Sequence, residues 1–135
     1  MTILEQYLEK TSGIDNSGYH SWLLENGQLY GAEIKVDTSI MDIRIKQCFR
    51  NSQLGFFVQG LDYVQGFYTA HGLDLPLEHA WNAIGNSVID LTTTKFDIDV
   101  DSRFGIQVPA EYMKEYLTTN MRMTALRSYY VNKIK

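Results

Sequence analysis

Apolar and polar positions are interleaved on both sides of Gly85-Asn86 between Leu77 and Thr94, LEHAWNAIGNSVIDLTTT. Alternation with a period of two is the pattern of a β-strand with one buried face, and Gly85-Asn86 in its middle is a two-residue hairpin signal. If those two residues form the loop, Ile84 lies opposite Ser87, Trp81 opposite Asp90 and His79 opposite Thr92. Residues directly opposite one another share a face, as do residues two apart on a strand. His79, Trp81, Asp90 and Thr92 then lie on one face, with His79 diagonal to Asp90 at a backbone separation of roughly 7–8 Å. A three-residue loop would break this parity and separate them.

The rest of the chain is arranged around that hairpin. Residues 2–10 (TILEQYLEK) repeat at helical spacing, with Ile3, Leu4, Tyr7 and Leu8 on one stripe. Thr11–Gly18 is rich in turn residues. In Tyr19–Ile34 the Asn26-Gly27 pair favours a second hairpin over a short helix in SWLLE. Ser39 followed by Asp42 has the form of a capping box, so Ser39–Gly55 reads as helical. Two registers are open there. In one, a helix from Ile40 carries Cys48 in its interior. In the other, the chain breaks near Lys46-Gln47 and a new helix begins at Cys48. Leu61–Ala70 (LDYVQGFYTA) reads as a strand, with Gly66 marking a bulge or a close backbone approach. Lys95–Ser102, with Asp97, Asp99 and Asp101 alternating, reads as a solvated loop, because the Gly and closing Glu of a calcium loop are missing. Arg103–Val108 is a last short strand. Pro109 suits the start of one long helix or a kinked pair to about Ile134, buried through Tyr112, Tyr116, Met123, Leu126 and Tyr130. The resulting class is α+β, with helices packed on a small antiparallel sheet.

Composition narrows the function classes. The 135 residues make one domain, 1–135, with an ordinary apolar fraction of 44%. A net charge of −4 and the lack of a basic run argue against a nucleic-acid partner. No apolar run is long enough for a membrane span, and the first residues lack the form of a signal peptide. One Cys cannot form an internal disulfide, so the expectation is a cytoplasmic protein with a reduced thiol. Zinc-ligand spacing and Gly-rich phosphate loops are lacking, and no metal or cofactor is expected. The oligomeric state is left open.

A His held by an Asp is half of a nucleophilic site: the carboxylate fixes the ring's tautomer and leaves the other nitrogen to act as a base. Cys48 is the one candidate thiol. A helix start at Cys48 would favour its thiolate through unpaired N–H groups and the macrodipole. His20 and His71 lie in turn-rich contexts and read as surface residues.

Three motifs in this order resemble the transglutaminase-like superfamily within the broader papain-like thiol enzymes. They are KQCFRNS with Cys48, EHAWN with His79, Ala80 and Trp81, and VIDLT with Asp90 and Thr92. The strand YVQGFY precedes the His motif, as in that family. Leu91 stands where the family usually has Pro, and the Gly and Trp that often surround its Cys are absent. The later FGIQVPAEY is similar to small uncharacterised bacterial and phage proteins with these motifs, which would put such a protein in the host cytosol.

The resemblance implies a transglutaminase-like core and acyl transfer on a peptide or protein amide, of protease, deamidase or transglutaminase type. Cys48 would form the thioester, His79 would move the proton and Asp90 would orient His79. Gln65 or Gln47 would be side-chain candidates for the oxyanion beside the Cys48 N–H. Trp81 would shield the pair or meet the substrate. The competing expectation is a catalytically silent papain-like scaffold that binds a protein as an effector or inhibitor. Nine Tyr suit such an interface.

Overall fold

The computed structural model describes residues 1–119 and 125–135. It is a mixed α/β structure whose described residues form six α-helices and a five-stranded, wholly antiparallel sheet. In chain order the elements are α1 (Ile3–Ser12), α2 (Tyr19–Asn26), β1 (Gln28–Tyr30), α3 (Cys48–Gln59), β2 (Asp62–Ala70) and β3 (Leu77–Ile84). Then come β4 (Ser87–Ile89), α4 (Leu91–Lys95), β5 (Val100–Gln107), α5 (Ala110–Thr119) and α6 (Ala125–Tyr129), which ends in a π turn, Tyr130–Ile134. The strands lie in the order β1-β5-β2-β3-β4. No described helix is long and apolar enough to cross a membrane.

Register assigns the two faces. Val64 pairs with Trp81, Gly66 with His79 and Tyr68 with Leu77, while β5 sets Gly105 beside Gly66 and Arg103 beside Tyr68. His79, Trp81, Tyr68 and Arg103 therefore share one face. The other face carries Tyr63, Phe67, Ala80 and Phe104 into the main core, against Leu4, Leu8, Leu23, Tyr112, Met113 and Leu126. At Gly66 the strands come so close that a Cβ would collide with the Phe104 carbonyl oxygen. This is the close approach anticipated there, and the register shift itself falls later, between Thr69 and Ala70.

Several expectations need correction. α1 has the expected stripe except for Ile3, which is exposed, and it is capped by Thr2 and Glu5 reciprocally. Tyr19–Asn26 is a helix and not a hairpin arm. Asn26-Gly27 ends it, with the Gly27 N–H donating to the Leu23 carbonyl, and Leu29 and Tyr30 instead pair with β5. Ser39 caps no helix, since residues 39–47 are turns, a bend and irregular chain. The hairpin turn stands where expected, with Gly85 at φ 61° and Ile84 opposite Ser87, but β4 stops at Ile89. His20 is half-buried, with Nδ1 2.6 Å from Thr11 Oγ1. β5 starts at Val100, ahead of the expected Arg103. Tyr112, Tyr116, Leu126 and Tyr130 are buried, and Met123 lies outside the described residues.

Candidate active site

Cys48 is the first residue of α3. The residue before it, Gln47, has no side-chain bond to the helix, so no ordinary cap marks the start. The start is set by tertiary bonds. Asn51, 2% exposed, grips the preceding loop: its Oδ1 accepts from the Arg44 N–H at 3.0 Å and its Nδ2 donates to the Arg44 carbonyl at 2.9 Å. Arg50 adds an ion pair to Asp42 at 2.8 Å. The chain between these clamps turns sharply through Lys46, whose φ of 60° is unusual for a residue with a Cβ. Asn51 Nδ2 also donates to Thr92 Oγ1 at 2.9 Å, tying the first turn of α3 to α4.

The far side of α3 is tied to β3. Asn82 Nδ2 donates to the Ser52 carbonyl at 2.8 Å, and Gly55 leaves the space that the Asn82 amide fills. Because β4 pairs only with Asn82–Ile84, the earlier part of β3 has no partner strand on that side. Cys48 meets His79 there: both line one cavity, and Cys48 is among the groups that act on the His79 ring. Cys48 is half-buried and His79 3% exposed.

His79 Nε2 lies 2.8 Å from Asp90 Oδ2. Asp90 is fully buried, yet its carboxyl is held below the ordinary carboxylate range. Burial raises it, but the charge and hydrogen bond of His79, the Arg103 guanidinium and the Thr93 N–H together outweigh burial. An ionised carboxylate only accepts, so Nε2 carries a proton. Burial, the largest single influence on His79, disfavours its charged form; the charge and hydrogen bond of Asp90, with Cys48, overcome this and raise the ring to about 9.

Asp90 does two jobs at once. Its Oδ1 accepts the Thr93 N–H at 3.2 Å and caps α4, while its Oδ2 holds His79. The expected strand through Thr94 gives way here because Asp90 turns the chain into a helix, and Thr92 and Thr93 become helical. The same Oδ2 accepts from Arg103 Nε at 3.1 Å, and Arg103 Nη2 donates to Glu33 Oε1 at 3.1 Å and Thr93 Oγ1 at 3.2 Å. Arg103, 4% exposed, is the residue that sequence reasoning missed. Its signal was a cation at an inward position of a short apolar strand, RFGIQV.

Gln65 pairs with Ala80, on the face opposite His79. Its Oε1 accepts from Tyr63 Oη at 2.9 Å and the Leu126 N–H at 3.2 Å, so it binds the main core together and does not face an oxyanion. Gln47 is exposed just before the helix. Trp81 is fully buried, its ring stacked 6.0 Å from that of His79 and edge-on to Tyr30, so it is a wall of the site with no surface for a substrate. Tyr68 stacks on the other side of His79 at 4.2 Å, and the ring is held between the two. Cys48, Tyr68, His79 and Thr92 open into a cavity of about 480 Å³, within the usual range for small-molecule sites.

No family model, curated protein or solved structure matches the chain.

Proposed function

We propose that this chain is a thiol enzyme with a transglutaminase-like core, which transfers or hydrolyses the acyl group of a peptide or protein amide through a thioester at Cys48. One observation carries the reading. Cys48, at the start of a helix, lines one cavity with His79, whose Nε2 is held by the buried, ionised Asp90.

The Cys48 sulfur attacks the amide carbonyl carbon, and its proton resides on His79 Nδ1. The oxyanion forms at the N-terminus of α3, where the first backbone N–H groups of a helix have no partner within it and the dipole favours negative charge. His79 then protonates the leaving amine as the carbon–nitrogen bond breaks. A second attack on the thioester regenerates Cys48. Water as acceptor makes the chain a protease or deamidase, and an amine makes it a conjugating enzyme. Asp90 keeps the imidazolium oriented throughout, and Arg103 keeps Asp90 ionised.

The test is alkylation of Cys48 by iodoacetamide, followed by intact mass from pH 5 to 9 in wild type and His79→Ala. The expected result is fast labelling at pH 6 that slows about tenfold or more in His79→Ala. Equal rates in the two proteins, or labelling only after denaturation, would overturn the reading.

A further inference from the structure

The alternating stretch after α4 contributes to the cavity beside Cys48 in a way the acid series alone does not suggest. Asp97 and Asp99 are exposed, whereas Phe96 and Ile98 between them line the cavity. The loop is shaped for this. Asp97 sits at φ 54°, a region that Asp tolerates better than most residues. The Ile98 N–H donates to the Thr93 carbonyl at 3.0 Å, and the Asp99 carbonyl accepts from the His71 N–H at 2.9 Å.

Ile45, Phe49 and Leu77 line the same cavity, with Ile45 62% and Leu77 47% exposed. Two large aliphatic side chains at the mouth of a cavity beside a nucleophile are apolar surface that a ligand would cover. Lys46 and Tyr68 also line the cavity, and the rest of its polar lining is committed elsewhere. Glu78 Oε2 takes Arg127 Nε at 3.4 Å, Gln65 Nε2 at 3.4 Å and Tyr19 Oη at 3.5 Å. Thr92 Oγ1 takes Asn51 Nδ2. A carboxamide entering here would give up water for a mainly hydrocarbon wall, which costs free energy.

We infer that this cavity is the acyl-group subsite and that it selects a bulky apolar acyl chain over a polar one of similar length. The inference rests on the acyl-transfer reading above. It commits to the substrate's acyl side because the cavity contains Cys48, and the group bonded to the attacked carbonyl must lie beside the sulfur.

The test uses p-nitrophenyl esters with the enzyme in excess, so that one acylation is read as released p-nitrophenolate. In that step the carbon–sulfur bond forms, the carbonyl–aryloxide bond breaks with its electron pair leaving on the aryloxide, and the thiol proton stays on His79. The acyl groups are acetyl, 3-phenylpropanoyl, hexanoyl and 4-carbamoylbutanoyl. Each rate is divided by that of N-acetylcysteine, to remove intrinsic reactivity. The expected result is 3-phenylpropanoyl and hexanoyl about tenfold or more ahead of 4-carbamoylbutanoyl, with Ile98→Ser narrowing the gap. Acylation that needs His79 but shows no apolar preference, or prefers the carboxamide, overturns the subsite assignment and leaves the acyl-transfer reading standing. Acylation indifferent to His79→Ala overturns both. The wild-type ester series decides the matter even if Ile98→Ser fails to fold.

Discussion

Replacing Asp90 by Asn changes one oxygen to an amide nitrogen and removes one charge from a fully buried network. The carboxylate receives three hydrogen bonds, from the Thr93 N–H on Oδ1 and from His79 Nε2 and Arg103 Nε on Oδ2, and Arg103 Nη2 makes a further ion-pair contact with Oδ2 at 3.0 Å. If the amide oxygen keeps the place of Oδ2, its NH₂ meets the Thr93 N–H and the cap of α4 is lost, worth about 0.5–2 kcal/mol. If it flips, the NH₂ faces the donors of Arg103. In both arrangements Arg103 loses its buried counter-charge and keeps only Glu33, whose side chain is 25% exposed. Removing one partner of a buried ion pair costs about 3–5 kcal/mol, a large share of a typical domain stability of roughly 5–15 kcal/mol. The expected loss is therefore about 3–5 kcal/mol, or roughly 10–20 °C in Tm.

His79 reports independently. Without the charge of Asp90, burial dominates and the ring's titration falls from about 9 toward or below 6.5. The assays are urea unfolding at pH 7 and NMR titration of the His79 ring in wild type and Asp90→Asn. The double variant Asp90→Asn/Arg103→Met completes a cycle. It should be less destabilised than the sum of the two single variants, because no orphaned charge is left. A loss under about 1 kcal/mol, or a His79 ring still titrating near 9, would refute the claim that Asp90 is the ionised anchor of the site.

The same geometry sets two further outcomes. His79 has a folded-state pKa raised to about 9, so its contribution to stability is complete below about 6.5 and is lost as pH rises through 9, while the depressed Asp90 contributes above about 3.8 and is lost as pH falls through its lower folded value. Urea midpoints measured from pH 3 to 10 should fall at both ends, and His79→Gln should flatten the alkaline arm; an unchanged alkaline arm in that variant would place the titrating group elsewhere. Asn51→Ala removes the bonds that clamp the Arg44 backbone and reach Thr92, so it should cost about 1–3 kcal/mol and slow Cys48 alkylation by freeing the turn at Lys46; an alkylation rate equal to wild type would mean the turn holds without Asn51.

Local chemistry made much of this protein legible. Gly85 takes the left-handed conformation its turn needs, Gly66 marks a strand contact too close for a side chain, and Thr2 with Glu5 forms a capping box. These signals act through neighbours in sequence, so sequence carries them. His79 and Asp90 were also legible as a pair, although the expected route, diagonal residues on two strands, differs from the actual one, a strand residue and a helix cap. Three decisions belong to the tertiary structure. The start of α3 at Cys48 has no capping side chain before it and is imposed by Asn51 gripping a loop seven residues earlier. The ionisation of Asp90 depends on His79 and, after it, on Arg103, thirteen residues away, which β5 delivers to the same face. Tyr19–Asn26 became a helix because Tyr19 and Leu23, four residues apart, bury on one side in the main core, a gain that outweighs the hairpin preference of Asn26-Gly27. In each case the deciding energy comes from burial or charge pairing between distant segments, and turn propensity and periodicity within one segment contain no term for it.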